Sequence, residues 1–160
     1  MAALIVGMIG IGWYMTGLAK DSPLRNDLVG LHKSFGSLIL ILFCFRVVLR
    51  IVTKIPKLPA GIPWAEQKLA HLGHVALYLF MLIVPLSGYA MSNMYGFSVN
   101  MFGIAMPKLF SADKNLAHTA HEAHEILPYI FLVLIFFHVA AVIKHRFFDK
   151  SGNDVLGRML

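Results

Sequence analysis

The stretch HEILPYIFLVLIFFH, residues 124–138, carries a histidine at each end and a single charged residue, Glu125, between them. Read as a helix, fourteen residues at 100° each turn through 1400°, only 40° short of four full turns. His124 and His138 then share one face, about 21 Å apart along the axis. That separation covers most of a hydrocarbon layer roughly 30 Å thick. Ionisable groups at membrane depth are costly, so they face a bundle interior and carry a function. The stretch therefore predicts a membrane helix that holds one imidazole near each surface.

The rest of the chain agrees. Of its 160 residues 58% are hydrophobic, and the mean hydropathy is +0.72, too apolar for a soluble domain of this length. Apolar runs over 1–18, 31–52, 69–92 and 126–143 are separated by short loops. They predict an all-α protein, a four-helix transmembrane bundle forming one domain over 1–160. The first run lacks a basic start and a small-residue cleavage site, so it reads as a retained helix and not as a signal peptide. KDSPLRNDL, 20–28, reads as a polar turn that separates the first two helices. KIPKLPAGIPW, 54–64, has three prolines and reads as an extended connector. Pro85 falls inside the third run, where it should kink the helix, with Ser87 and Gly88 absorbing the distortion. Residues 93–123 are too polar and too broken by glycine to span, and read as an interfacial cap. The single cysteine, Cys44, allows no internal disulfide; among Leu, Phe and Ile it reads as a small buried hydrophobe.

The net charge is +6. In a soluble protein that would suggest nucleic acid, but here the basic residues cluster at helix ends, which speaks for a membrane and lipid headgroups instead. Arg46, Arg50, Lys54, Lys57, Lys68, Lys144, Arg146, Lys150 and Arg158 fall on one side. Lys20, Arg25, Lys33, Lys108 and Lys114 fall on the other. By the positive-inside rule the richer side is cytoplasmic, which places both termini there and the 19–30 and 93–123 loops outside.

Neutral imidazole is a common ligand of haem iron, and two histidines on one iron make a closed site suited to electron transfer. Each of His124 and His138 then needs a partner at its own depth. His32 opens the second helix on the outer side and matches His124. On the cytoplasmic side His71 and His74 open the third helix, and the first contains no histidine. His118, His121 and His145 read as headgroup-level side chains. HEAHE, 121–125, superficially resembles a zinc-protease motif, but its histidines stand at i and i+3 where that motif needs i and i+4. No C-x-x-C-H occurs, so haem would not be attached covalently.

Three segments, GLHKSFGSLILILFCFRVVLRI (30–51), AHLGHVALYLFMLIVPLSGYAM (70–91) and the run from His124 to the basic, aspartate-bearing tail, resemble the bacterial cytochrome b561 family of four-helix membrane proteins. The resemblance covers most of the chain. It implies two b-type haems (haem b), an inner (cytoplasmic) membrane location, and electron transfer between quinone and other donors or acceptors. One branch is similar to superoxide oxidase, which passes electrons from superoxide to ubiquinone. By position, His32 and His124 would hold an outer haem and His138 one side of an inner haem. His74 matches a recurrent third-helix histidine near the inner haem, a quinone neighbour. The family opens its first helix with a His–Trp pair opposite the position of His138, and this sequence begins at Met1, just past that point. Either the start lies upstream or this version lacks an inner axial ligand, so the 160-residue form is expected to hold the outer haem fully and the inner one weakly or not at all. Arg46 and Arg50, near the cytoplasmic end of the second helix, would neutralise haem propionates or a quinone head, or snorkel to the headgroups. Other expectations are a cytochrome anchor for a hydrogenase or dehydrogenase partner and, from a different class, a haem-free metal-binding or transport protein.

Overall fold

A computed structural model describes residues 1–53 and 61–148. The connector from Lys54, including Lys57, and the tail with Lys150 and Arg158 lie outside the described residues. Four helices alternate in direction: α1 (Ala2–Thr16), α2 (Pro23–Val52), α3 (Trp64–Met94) and α4 (Lys114–Phe147). A two-stranded hairpin, β1 (Asn100–Met101) and β2 (Ile104–Ala105), lies between α3 and α4. The fold is the expected transmembrane helical bundle. α2, α3 and α4 are long and apolar enough to cross a membrane; α1, with 15 residues, is shorter.

The helix starts differ from those read off hydropathy, and local chemistry explains why. Pro23 does not break the chain. It stands at the first turn of α2, where a missing N–H and a fixed φ suit a helix start, so α2 begins at Pro23 and not at 31. The expected turn over 20–28 shrinks accordingly. α3 begins at Trp64, directly after Pro63. α4 begins at Lys114 because Asp113 caps it, its carboxylate accepting from the N–H groups of Asn115 and Leu116 at 2.9 and 3.1 Å. The expected 93–123 cap is thus confined to the residues between α3 and α4, and its last ten positions are helix. Pro85 and Pro128 both stand inside helices.

The hairpin turns on Phe102 and Gly103, both at positive φ (51° and 89°), as a two-residue loop of the right twist requires. Phe102 is held there by its ring, packed edge-on to Phe35 on α2 with centroids 5.0 Å apart. The Ser34 hydroxyl lies 3.0 Å from the carbonyls of both Gly30 and Asn100 and accepts from the Phe102 N–H at 3.3 Å, fastening the hairpin to α2. On α3, Asn93 Oδ1 accepts from the Leu109 N–H at 2.9 Å, and the Tyr89 hydroxyl donates to the Pro107 carbonyl. The polar loop is therefore tied to two helices over one end of the bundle, called here the hairpin end.

The core is small: Ile5, Met8 and Ile9 of α1, Ile39 of α2, Met81 of α3 and Phe131 of α4. Phe45, Ile51, Leu79, Phe136 and Phe137 stay on the outside, which is the sensible place for them when the surrounding solvent is lipid tails. Cys44, expected to be buried, is exposed on that same outer surface of α2.

Candidate functional site

Two histidine pairs occupy two depths of the bundle. Near the hairpin end His32 of α2 meets His124 of α4, with ring centroids 6.1 Å apart and planes at 80°. Toward the opposite end His74 of α3 meets His138 of α4, with centroids 5.5 Å apart and planes at 64°. His32, His124 and His74 do not sit where their helices begin, contrary to the sequence expectation. α2 and α4 start further out, so His32 and His124 each lie well inside a helix. His74 lies ten residues beyond Trp64 and not at the head of α3, because the helix starts earlier than its apolar run.

His124 is the better defined ring. Its Nδ1 lies 3.0 Å from the Val84 carbonyl and 3.0 Å from Ser87 Oγ. The Ser87 hydroxyl donates to the same carbonyl at 2.7 Å. A carbonyl can only accept, so the network assigns the proton to Nδ1 and leaves Nε2 with a free lone pair. A second-shell hydrogen bond of this type fixes the tautomer and the aim of a ligating imidazole. The ring also lies directly on Gly88. A Cβ added there would stand 2.7 Å from His124 Cε1 and 3.0 Å from Nε2. Only a glycine lets the ring approach α3 so closely.

His32 lies beside Gly12 of α1, where an added Cβ would be 3.4 Å from its Cε1, and its Nδ1 is buried without a hydrogen-bond partner. A buried polar atom left without a partner calls for a missing ligand or water. With metal–imidazole bonds of about 2.0–2.1 Å, two rings facing one metal stand roughly 6 Å apart between centres. The His32–His124 spacing of 6.1 Å matches that. The residues at this end are therefore compatible with a metal held between two imidazoles.

At the other depth, Arg46 places its guanidinium 5.5 Å from the ring centre of Tyr78, one turn along α3 from His74. Arg50 lies in the last turn of α2, exposed. Beyond them Glu66 of α3 bonds Lys144 Nζ at 2.7 Å and faces His145 Nε2 at 3.5 Å, closing that end of the α3–α4 pair. His118 pairs with Glu122 at 3.6 Å on the surface, and His71 lines a shallow cleft with Trp64 and Lys68. Among the described residues, no three His, Cys, Asp or Glu side chains gather as a metal site of their own, so HEAHE forms none. Sequence reasoning gave Ser87 and Gly88 only the task of relieving Pro85. Their role against His124 became visible once α3 and α4 were placed side by side.

Imidazoles paired at two depths of an apolar helical bundle define a class of protein, the membrane b-type cytochromes. Within it, the chain belongs to the prokaryotic cytochrome b561 family, whose sequence profile matches residues 1–160. It is 32% identical to cytochrome b561 homolog 2 of Escherichia coli (strain K12) over 99% of this chain and 84% of that protein. It is 30% identical to the probable superoxide oxidase CybB of Yersinia pestis over 94% of this chain and 86% of that one. A further relative, cytochrome b561 homolog 1 of Escherichia coli (strain K12), is 24% identical over 89% of this chain. Family membership brings b-type haem and electron transport with it.

Proposed function

We propose that this protein passes single electrons across part of a bacterial inner membrane to the quinone pool, through haem held by His32 and His124 near the hairpin end and by His138 toward the other. The observation that carries the reading is that two α4 histidines fourteen residues apart, His124 and His138, each meet an imidazole of another helix, His32 of α2 and His74 of α3. When bound, the haem supplies one-electron redox chemistry, while the protein sets ligation, burial and access. His124 offers Nε2 because Val84 and Ser87 retain the proton on Nδ1. The count of basic residues favours the hairpin end as the outer one and both termini as cytoplasmic. Arg46 and Arg50 then stand on the inner side, where they would steady an anionic propionate or a quinone head.

The likeness to a probable superoxide oxidase favours superoxide as the electron donor at the outer face. Two superoxide ions would each give up one electron and leave as dioxygen; one quinone would take both electrons and two protons to become quinol. The test is the purified chain alone. Haem reducible by superoxide, followed by quinol formation without any added protein, supports a self-contained oxidoreductase. Haem that exchanges electrons only when a dehydrogenase is supplied makes the chain an anchor, and a spectrum without a reducible haem band ends the cytochrome reading.

An anion approaching the hairpin end would be drawn by Lys33, Lys108 and Lys114; Lys33 Nζ lies 5.2 Å from the Phe97 ring centre at that surface. Steering of this kind is screened over about 8–10 Å at ordinary ionic strength. Replacing all three lysines by glutamine is expected to slow superoxide consumption about tenfold at low salt and far less at high salt, the lower range of steering effects. A rate indifferent to both changes removes the case for superoxide.

His74 is assigned to the quinone head and not to the iron. His138→Ala is expected to remove the haem at that depth, whereas His74→Gln keeps it and raises the quinone KM up to about tenfold, the worth of one hydrogen bond. Haem-to-protein ratio and quinone kinetics on both variants decide this. Loss of haem in His74→Gln would make His74 the second ligand.

A further inference from the structure

Among the described residues, three buried side-chain atoms have no hydrogen-bond partner: Arg25 Nε, His32 Nδ1 and Ser92 Oγ. All three belong to the hairpin half of the bundle, and helical register gathers them around one site. Arg25 precedes His32 by seven residues. That is 700°, only 20° short of two turns, so the two share a face, with Arg25 about 10 Å nearer the hairpin surface. Ser92 follows Gly88, the glycine beneath the His124 ring, by four residues and lies about 6 Å nearer that surface on the same side of α3.

Ser92 is only 2% exposed. Ser34 and Ser37 of α2 lie within hydrogen-bond reach of the carbonyls four residues back, at 3.0 and 2.9 Å, and Ser87 bonds the carbonyl three back. Ser92 makes no such bond, so its oxygen is not spent on its own helix. Arg25 forms no ion pair among the described residues, although its Nε is out of solvent. Burying a guanidinium N–H and a hydroxyl unpaired is costly at each place. Both groups can donate, and the ligand that satisfies two donors at once is an anion with several acceptor oxygens, a carboxylate above all.

We propose that Arg25 and Ser92 bind the propionate carboxylates of the haem held between His32 and His124, so that this haem enters with its acid edge toward the hairpin. The proposal rests on the ligation proposed above. It adds that Arg25, and not the half-buried Lys33, fixes the haem's orientation and neutralises its acid groups. A phosphate headgroup of an anionic lipid has the same acceptor chemistry, so the test must separate the two sources.

The full chain, stripped of haem, is reconstituted in vesicles of phosphatidylcholine alone and of phosphatidylcholine with phosphatidylglycerol. Binding of haem b is compared with binding of its dimethyl ester, in which both carboxylates are blocked. The unsubstituted chain is expected to hold haem b roughly ten- to a hundredfold more tightly than the ester, the range of a charge-assisted hydrogen bond. Arg25→Gln should lower haem b affinity by that factor and close the gap to the ester, while Arg25→Lys restores part of it. Ser92→Ala should have a smaller effect in the same direction. In Arg25→Gln the midpoint potential of this haem should fall and become more dependent on pH, because a propionate without its guanidinium takes up protons more readily.

Equal binding of haem b and ester by the unsubstituted chain overturns the proposal without any variant. So does an Arg25→Gln chain that still prefers haem b as strongly as the original. An effect of Arg25→Gln seen only with phosphatidylglycerol, and equal for both haem forms, assigns Arg25 to lipid and overturns it too. If His124→Ala leaves this haem in place, the ligation reading has failed, and that outcome is distinct from the others.

Discussion

Replacing His124 by alanine is expected to abolish the haem at the hairpin end and leave the other in place. In the proposed ligation the imidazole supplies a ligand through Nε2, while its Nδ1 faces Val84 O and Ser87 Oγ, each 3.0 Å away. Without it, an iron at this depth keeps only His32, whose ring has no equivalent hydrogen bond. The haem-to-protein ratio and the reduced-minus-oxidised spectrum measure the loss. His118→Ala, on the exposed first turns of α4 and paired with Glu122, should change neither. Ser87→Ala tests the orientation of the ring separately from its presence. Loss of a second-shell partner usually weakens metal binding about 10–100-fold. An unaltered haem content in His124→Ala would refute the pairing with His32.

Gly88→Ala is expected to come close to the same loss from the opposite side of the contact. In a helix interior, alanine is normally preferred to glycine by about 0.8–1.0 kcal/mol, so propensity alone predicts a more stable protein. The new methyl group would, however, stand 2.7 Å from Cε1 of His124. The ring cannot yield by a small side-chain movement without leaving Val84 and Ser87, and otherwise α4 must move off α3. Overpacking of this kind costs about 1–3 kcal/mol, which exceeds the gain. The expected result is a folded protein with lowered thermal stability and little or no haem at the hairpin end. Gly36→Ala is the control, since nothing lies within 4 Å of a Cβ built there; it should bind haem normally. Normal haem binding by Gly88→Ala would mean the ring does not use this seat.

The features legible in the sequence were those set by periodicity and bulk hydropathy. The spacing of His124 and His138 suffices to set one imidazole at each of two depths, and His32 follows as the partner of the first because its run crosses in the opposite direction. Helix ends were read less well, because an apolar run marks only what lies in lipid, whereas capping marks where the backbone starts to coil. Pro23 and Asp113 carried that information in a form hydropathy ignores. The same shift moves His74, which the apolar run places at the opening of the third helix, ten residues into α3, where it faces His138. Gly88 and Ser92 were illegible for another reason. A glycine or serine in a membrane helix acquires meaning only from the side chain across from it, and that depends on how α3 is rotated against α4.

Pro128 stands four residues after His124 and ten before His138. Having no N–H, it cannot bond back to the carbonyl of His124, and helices bend most readily where such a bond is missing. The helix that carries both histidines therefore bends most readily between them. Each half can settle against its own neighbours, the upper on Gly88 and Val84, the lower on His74, without dragging the other out of register. With haem held at both depths as proposed, a substitution that retunes one centre would leave the other as it was, and the two ends would be free to diverge separately.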